Sequence, residues 1–171
     1  LSRTGHTAWT LTTVDFTNGP YLDTNTSTTT ITASAQTVGT GRTFTASAST
    51  FVSSDVDRLI RFRDGHAKVT GFTSATVVTV EILVDTGSAT ASTDWSLGAF
   101  SDSTGYPSCV TFFEQRLVFA ATLNNPQTIY FSKSGDYENM DANIGGTVAD
   151  DDAIVYTIAS NQVNAIRFLS P

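Results

Sequence analysis

The sequence predicts an all-β protein, and three observations carry that prediction. Ser and Thr make up more than a quarter of the 171 residues, and Thr favours pleated, half-buried surfaces. No window sustains the three-and-four apolar spacing of an amphipathic helix over three turns, and the strong helix formers build no long periodic run. Short runs rich in Val, Ile and Phe instead alternate with Gly, Pro and Asn turn signals.

Taken in order, residues 1–23 carry Trp9, Leu11, Val14, Phe16 and the turn Asn18-Gly19-Pro20. Trp9 and Leu11 alternate with Thr, as in a strand with one buried face. Residues 24–50 are Thr/Ser/Ala-rich and nearly uncharged, a linker-like composition. Ile31, Val38 and Phe44 recur within them, which favours thin strands over disorder. Leu59 to Arg63 and His66 to Thr70 then flank Asp64-Gly65, a hairpin signal that relies on positive φ at both central residues. With that loop, Arg63 faces His66, Phe62 faces Ala67, Arg61 faces Lys68 and Ile60 faces Val69. Ile60, Phe62, Ala67 and Val69 thus share one face, the charged residues the other. After a turn at residues 73–76, Val77 to Val84 supplies another strand. Residues 24–93 read as a small Thr-rich β-barrel inserted into a second β unit made of residues 1–23 and 94–171.

In that second unit Trp95, Leu97 and Phe100 are expected to rejoin the first core. Strands follow at Cys109 to Phe113, Arg116 to Ala121 and Gln127 to Phe131, the last after the turn segment Asn124-Asn125-Pro126. Ile154 to Ile158 and Val163 to Leu169 supply two more. Short strands at this spacing fit a sandwich, a barrel or part of a propeller, although no clean internal repeat marks blades. The chain begins at Leu1, its only methionine is Met140, and it ends in Phe-Leu-Ser-Pro. These features are expected of a piece of a longer protein.

The formal net charge of −7, with only two lysines, Lys68 and Lys133, argues against a general nucleic-acid binder held by phosphate contacts. No apolar stretch reaches the roughly 20 residues of a membrane helix. Cys109 is alone, which excludes an internal disulfide and suits a small buried hydrophobe. His6 and His66 are far apart, and neither a metalloprotease helix motif nor a nucleophile elbow occurs. Gly39-Thr40-Gly41 lacks the rest of a dinucleotide loop. Only three Glu are present, and none has flanking aromatic residues of the kind that stack on sugars. No catalytic residue, cofactor or metal is expected. Asp150-Asp151-Asp152, with Asp136, Glu138 and Asp141 upstream, offers oxygen ligands of the kind calcium takes, but without an EF-hand spacing it reads as a solvated loop.

One cluster stands out. Arg58, Arg61, Arg63 and Lys68 are four of the nine Lys and Arg residues, and His66 lies among them. Like charges across a ladder destabilise it, so Arg61 opposite Lys68 wants a compensating anion. Asp55, Asp57 or Glu81 inside the chain can supply it. Alternatively these five residues form a docking face for an acidic partner, or contact DNA.

The strand pair TFFEQRLVFA, the strand and turn PQTIYFSKSGDYEN, and VADDDAIVYTIASNQVNAIRFL occur in that order. With the opening LSRTGHTAWTLTTVDFTNGPYL, this series resembles the tail nozzle proteins (tail tubular protein B) of short-tailed bacteriophages. The resemblance covers residues 1–23 and 94–171, and the Thr-rich middle more loosely. It implies a β-propeller with inserted barrels and a virion structural protein of the tail. It also implies a homo-oligomeric ring, a hexamer, that meets portal or adaptor and other tail proteins while genomic DNA passes through its lumen without specific binding. The competing class is a receptor- or carbohydrate-binding module of a fibre or adhesin, for which Tyr106, Tyr130 and Tyr137 are the candidate aromatic platform.

Overall fold

A computed structural model describes residues 2–10, 15–143, 146–159, 162 and 164–170. Among them the protein is all-β, with no α-helix and one short 3-10 turn at Ser53–Asp55. The strands are β1 (Ser2–Arg3), β2 (Trp9–Thr10), β3 (Ile31–Ala33), β4 (Gly39–Ala46), β5 (Leu59–Phe62), β6 (Gly65–Ser74) and β7 (Val77–Val84). After these come β8 (Trp95–Leu97), β9 (Cys109–Phe113), β10 (Arg116–Ala120), β11 (Thr128–Phe131) and β12 (Ile154–Thr157). Among the described residues no helix is long and apolar enough to cross a membrane.

The larger sheet is six-stranded, in the order β3-β4-β7-β6-β5-β8, and curls into a half-barrel. Register shifts interrupt β4–β7 between Gly39 and Arg42 and β6–β7 at three places, and such bulges raise local twist and bend a sheet. The concave face buries Ile31, Phe44, Ile60, Phe62, Val69, Val78, Val80 and Ile82, all fully. The open seam between β3 and β8 is partly closed by the segment before β8. Ile31 exchanges both backbone hydrogen bonds with Ser92, at 2.9 Å each, and the Trp95 indole donates to the Thr29 carbonyl at 3.0 Å.

The smaller sheet, β9-β10-β11-β12, is an antiparallel meander in which strand order equals chain order. One face carries Phe119 and Tyr130, which meet Phe16 and Phe100 edge to face at centroid distances of 5.1–6.0 Å. Met140 completes this second core. Gly19 makes its closest approach to the chain there. Its φ is +59°, and a Cβ would lie 2.7 Å from the Met140 carbonyl oxygen.

Four expectations are revised. Trp9 is 59% exposed and sits beneath the Arg3 guanidinium rather than in a core; Leu11 and Val14 lie outside the described residues. Val38 is exposed, whereas Ile31 and Phe44 are fully buried. Trp95 and Leu97 belong to the half-barrel core, because β8 pairs with β5, and Phe100 joins the second core as expected. Residues 164–170 form no strand; Val163 lies outside the described residues.

Candidate functional site

The hairpin that carries the basic cluster forms, with its loop one residue earlier and each pairing partner displaced by two residues. Ile60 faces Ala67, Arg61 faces His66, Leu59 faces Lys68 and Phe62 faces Gly65, so the loop residues are Arg63-Asp64. The predicted face holds: Ile60, Phe62, Ala67 and Val69 are all fully buried on one side. The reason for the displacement is steric. A Cβ at Gly65 would collide with the carbonyl oxygens of Val84 and Asp85. Gly65 therefore serves a close backbone approach in β6, and the positive φ of the turn falls on Arg63, at 53°.

The displaced register also removes the predicted Arg61–Lys68 conflict. Lys68 stands across from Leu59 on one side and from Glu81 on the other. Its ammonium lies 3.1 Å from Asp15 and 3.4 Å from Asp57, and hydrogen bonding to Asp15 raises its pKa.

The five residues do not form one open face. Arg58 is buried, pairs with buried Asp55 at 2.6 Å and donates through Nε to the Gly98 carbonyl at 2.7 Å. Arg61 is buried and holds Asp94 at 2.6 Å, with further bonds to Thr24 and to the Arg63 carbonyl. Arg63 is half-buried, lies over the Phe62 ring and donates to the Thr90 hydroxyl and the Ala91 carbonyl. His66 is buried with Nε2 3.0 Å from the Thr17 carbonyl. Burial pushes its imidazole below the ordinary range, against the opposing pull of Thr17 and Asp141.

Of the compensating carboxylates named from sequence, Asp55 and Asp57 pair with Arg58 and Lys68, and Glu81 flanks Lys68 across the ladder. Asp94 and Asp15 were missed. They lie 33 and 53 residues from their partners, and no local pattern points to them.

The hairpin region reaches the neighbouring segments through Lys68 to Asp15, His66 to Thr17 and Arg58 to Gly98, and two clefts lie beside it. The smaller, about 210 Å³, is polar and takes in Arg61, His66, Asp94 and Asp141. The larger, about 660 Å³, has an apolar floor that includes Phe16, Pro20, Leu59, Phe100 and Phe119. Its mouth carries Asp15, Asp57, Lys68, Glu81 and Tyr106. Asp57 is held there at φ 71°, a left-handed conformation that Asp adopts more readily than most residues.

The acidic loop is organised by protein groups. Lys133 lies 3.1 Å from Asp151 and 3.5 Å from Asp152, and Asp152 accepts the Ala149 backbone N–H, which lowers its pKa. Arg116 donates to the carbonyls of Asp150, Ser132 and Asp152. Among the described residues no cluster of His, Cys, Asp and Glu is arranged to hold a metal ion. Of the three tyrosines named as an aromatic platform, Tyr130 is buried in the second core, while Tyr106 is exposed and Tyr137 stacks edge to face on Phe112.

No protein-family model matches the chain, and no curated protein matches it either.

Proposed function

We propose that this chain is a non-catalytic structural component of a bacteriophage virion, part of the tail nozzle through which the genome leaves. The observation that carries the reading is the β9–β12 meander. A four-stranded antiparallel sheet in chain order is the unit from which propellers are built. Here both faces are apolar: one packs on Phe16 and Phe100, and the other presents Phe113, Ile154 and Tyr156, each more than 40% exposed. A sheet apolar on both faces is suited to lie between two neighbours, as a blade does. The order of motifs shared with the nozzle family adds to this, as does the half-barrel carried between Tyr21 and Gly98.

In this reading the copies assemble as a homo-oligomeric ring, six by family resemblance, in the tail of the virion beside portal or adaptor proteins. Its electrostatics suit a DNA channel. Arg58, Arg61, Lys68 and Lys133 are each paired with an Asp of the same chain. These four cations are thereby held back from phosphates, whose grip carries a steep salt dependence.

The test is sedimentation and electron microscopy of the protein from the complete reading frame, alone and with a neighbouring tail protein. Closed rings with a central channel are expected. A monodisperse monomer under all conditions, with saturable glycan binding, would replace this reading by the receptor-binding module.

A further inference from the structure

We infer that the large cleft is the socket of a head-to-tail contact between copies of this chain, and that its plug is Arg167-Phe168-Leu169 of the next copy. The inference rests on the self-assembly part of the nozzle reading and names the contact.

Charge selects the occupant. Arg58 is matched by Asp55, so the mouth holds three carboxylates, Asp15, Asp57 and Glu81, against the single ammonium of Lys68. The side chains of Asp15 and Asp57 are about four-fifths exposed. An apolar floor beneath a net negative rim fits a bulky apolar side chain with a cation beside it. Oppositely charged rims of this kind fix partner and register.

The chain carries such a segment. Phe168 is 80% exposed, Arg167 is exposed, and among the described residues nothing pairs with Arg167. The segment is anchored just before them. The Ile166 N–H donates to the Pro126 carbonyl at 3.0 Å, and the Cys109 thiol lies 3.5 Å from the Ile166 carbonyl. An anchored base lowers the ordering cost of a projecting plug.

Geometry makes the contact intermolecular. In β9 and β10, Cys109 is opposite Ala120 and Val110 is opposite Phe119. Side chains alternate along a strand, so Cys109, and Ile166 with it, lies on the face away from Phe119. Phe119 lines the cleft. Plug and socket thus sit on opposite faces of one sheet, the arrangement of a heterologous contact, which closes into rings or runs on as filaments.

The experiment is sedimentation velocity on the whole chain. Phe168→Ser with Arg167→Gln should weaken self-association at least about tenfold, since a buried aromatic anchor and its flanking charge dominate such contacts. Asp57→Asn with Glu81→Gln should weaken it comparably; Asn tolerates the left-handed conformation at position 57. Thermal unfolding close to that of the parent chain confirms that each variant is folded. The deciding arm mixes the two variants. One intact socket and one intact plug remain in the mixture, so it should form dimers and nothing larger. Unchanged association in either variant overturns the inference, and so does a mixture that gives no dimers, or a parent chain that stays monomeric up to millimolar concentration. Rings that survive both variants would overturn this contact and leave the nozzle reading standing. Dimers in the mixture, with open filaments from the complete protein, would do the reverse.

Discussion

Asp55 and Arg58 show how a charge cluster that looks available in the sequence is consumed by the fold. Both side chains are almost fully buried and 2.6 Å apart, and Asp55 also accepts the Val52 N–H at 2.9 Å. Removing one member of such a pair strands the other charge in a low-dielectric interior. Asp55→Asn is therefore expected to cost about 3–5 kcal/mol in urea unfolding, and Asp55→Leu with Arg58→Met much less. His66 gives the pH dependence. Its folded pKa is lowered by burial, so the unfolded chain takes up the proton first as pH falls through its ordinary value of about 6.5. Stability should be full above that value and decline as pH drops from 7.5 to 5.5. The groups set around the imidazole are Arg61, Arg63, Asp64, Asp94 and Asp141, and the Asp141 carboxylate limits the decline. His66→Gln, which can still donate to Thr17, should reduce the difference in urea midpoint between the two pH values; an unchanged difference would place the titration elsewhere. At this scale the sequence revealed Asp55 and Asp57 because they are near neighbours of their cations. Asp15 and Asp94 stayed hidden because only the tertiary fold brings them close.

Elements were more legible than pairings. The apolar runs at residues 109–113 and 77–84 coincide with β9 and β7, because alternation is a local property of the chain. The β5–β6 loop was misplaced by one residue because its glycine answers to Val84 and Asp85, which belong to or follow another strand. β6 also runs on to Ser74, past the expected stop, since pairing with β7 outweighs the weak strand preference of Gly71. The β9–β10 connection carries a turn that its residues suit poorly. Glu114 and Gln115 both have positive φ, 44° and 62°, the combination for which Asn-Gly is the preferred pair. Glu114→Asn with Gln115→Gly is expected to stabilise the protein by about 1 kcal/mol, read as a higher urea midpoint with the slope unchanged. A loss of stability would mean that those side chains make contacts worth more than the backbone strain.

For the whole molecule, the two cores should separate in hydrogen exchange. β4, β7 and β6 are interior to the six-stranded sheet and line its fully buried face, whereas β12 is an edge strand whose four residues are all exposed. Amides of β7 paired to β4 and β6 are expected to exchange slowest and those of β12 fastest, by several orders of magnitude. Uniform protection across both sheets would contradict this. The all-β class and the presence of a Thr-rich unit in the middle of the chain could be read from composition and alternation. The strand that completes the half-barrel could not. β8 lies beyond the compositional boundary at residue 93, and Trp95 is claimed by the half-barrel core because its indole N–H finds Thr29 there.

The chain enters and leaves the half-barrel side by side. The Leu22 N–H donates to the Leu97 carbonyl, the Asn25 N–H to the Trp95 carbonyl, and the Ala99 N–H to the Pro20 carbonyl, each within 2.9 Å. Two adjacent antiparallel segments stand only about 5 Å apart, a gap that a two-residue turn can span. At the level of the gene, a single in-frame deletion could then remove the half-barrel and leave the two flanking ends within reach of each other. The path of the flanking β unit would stay the same.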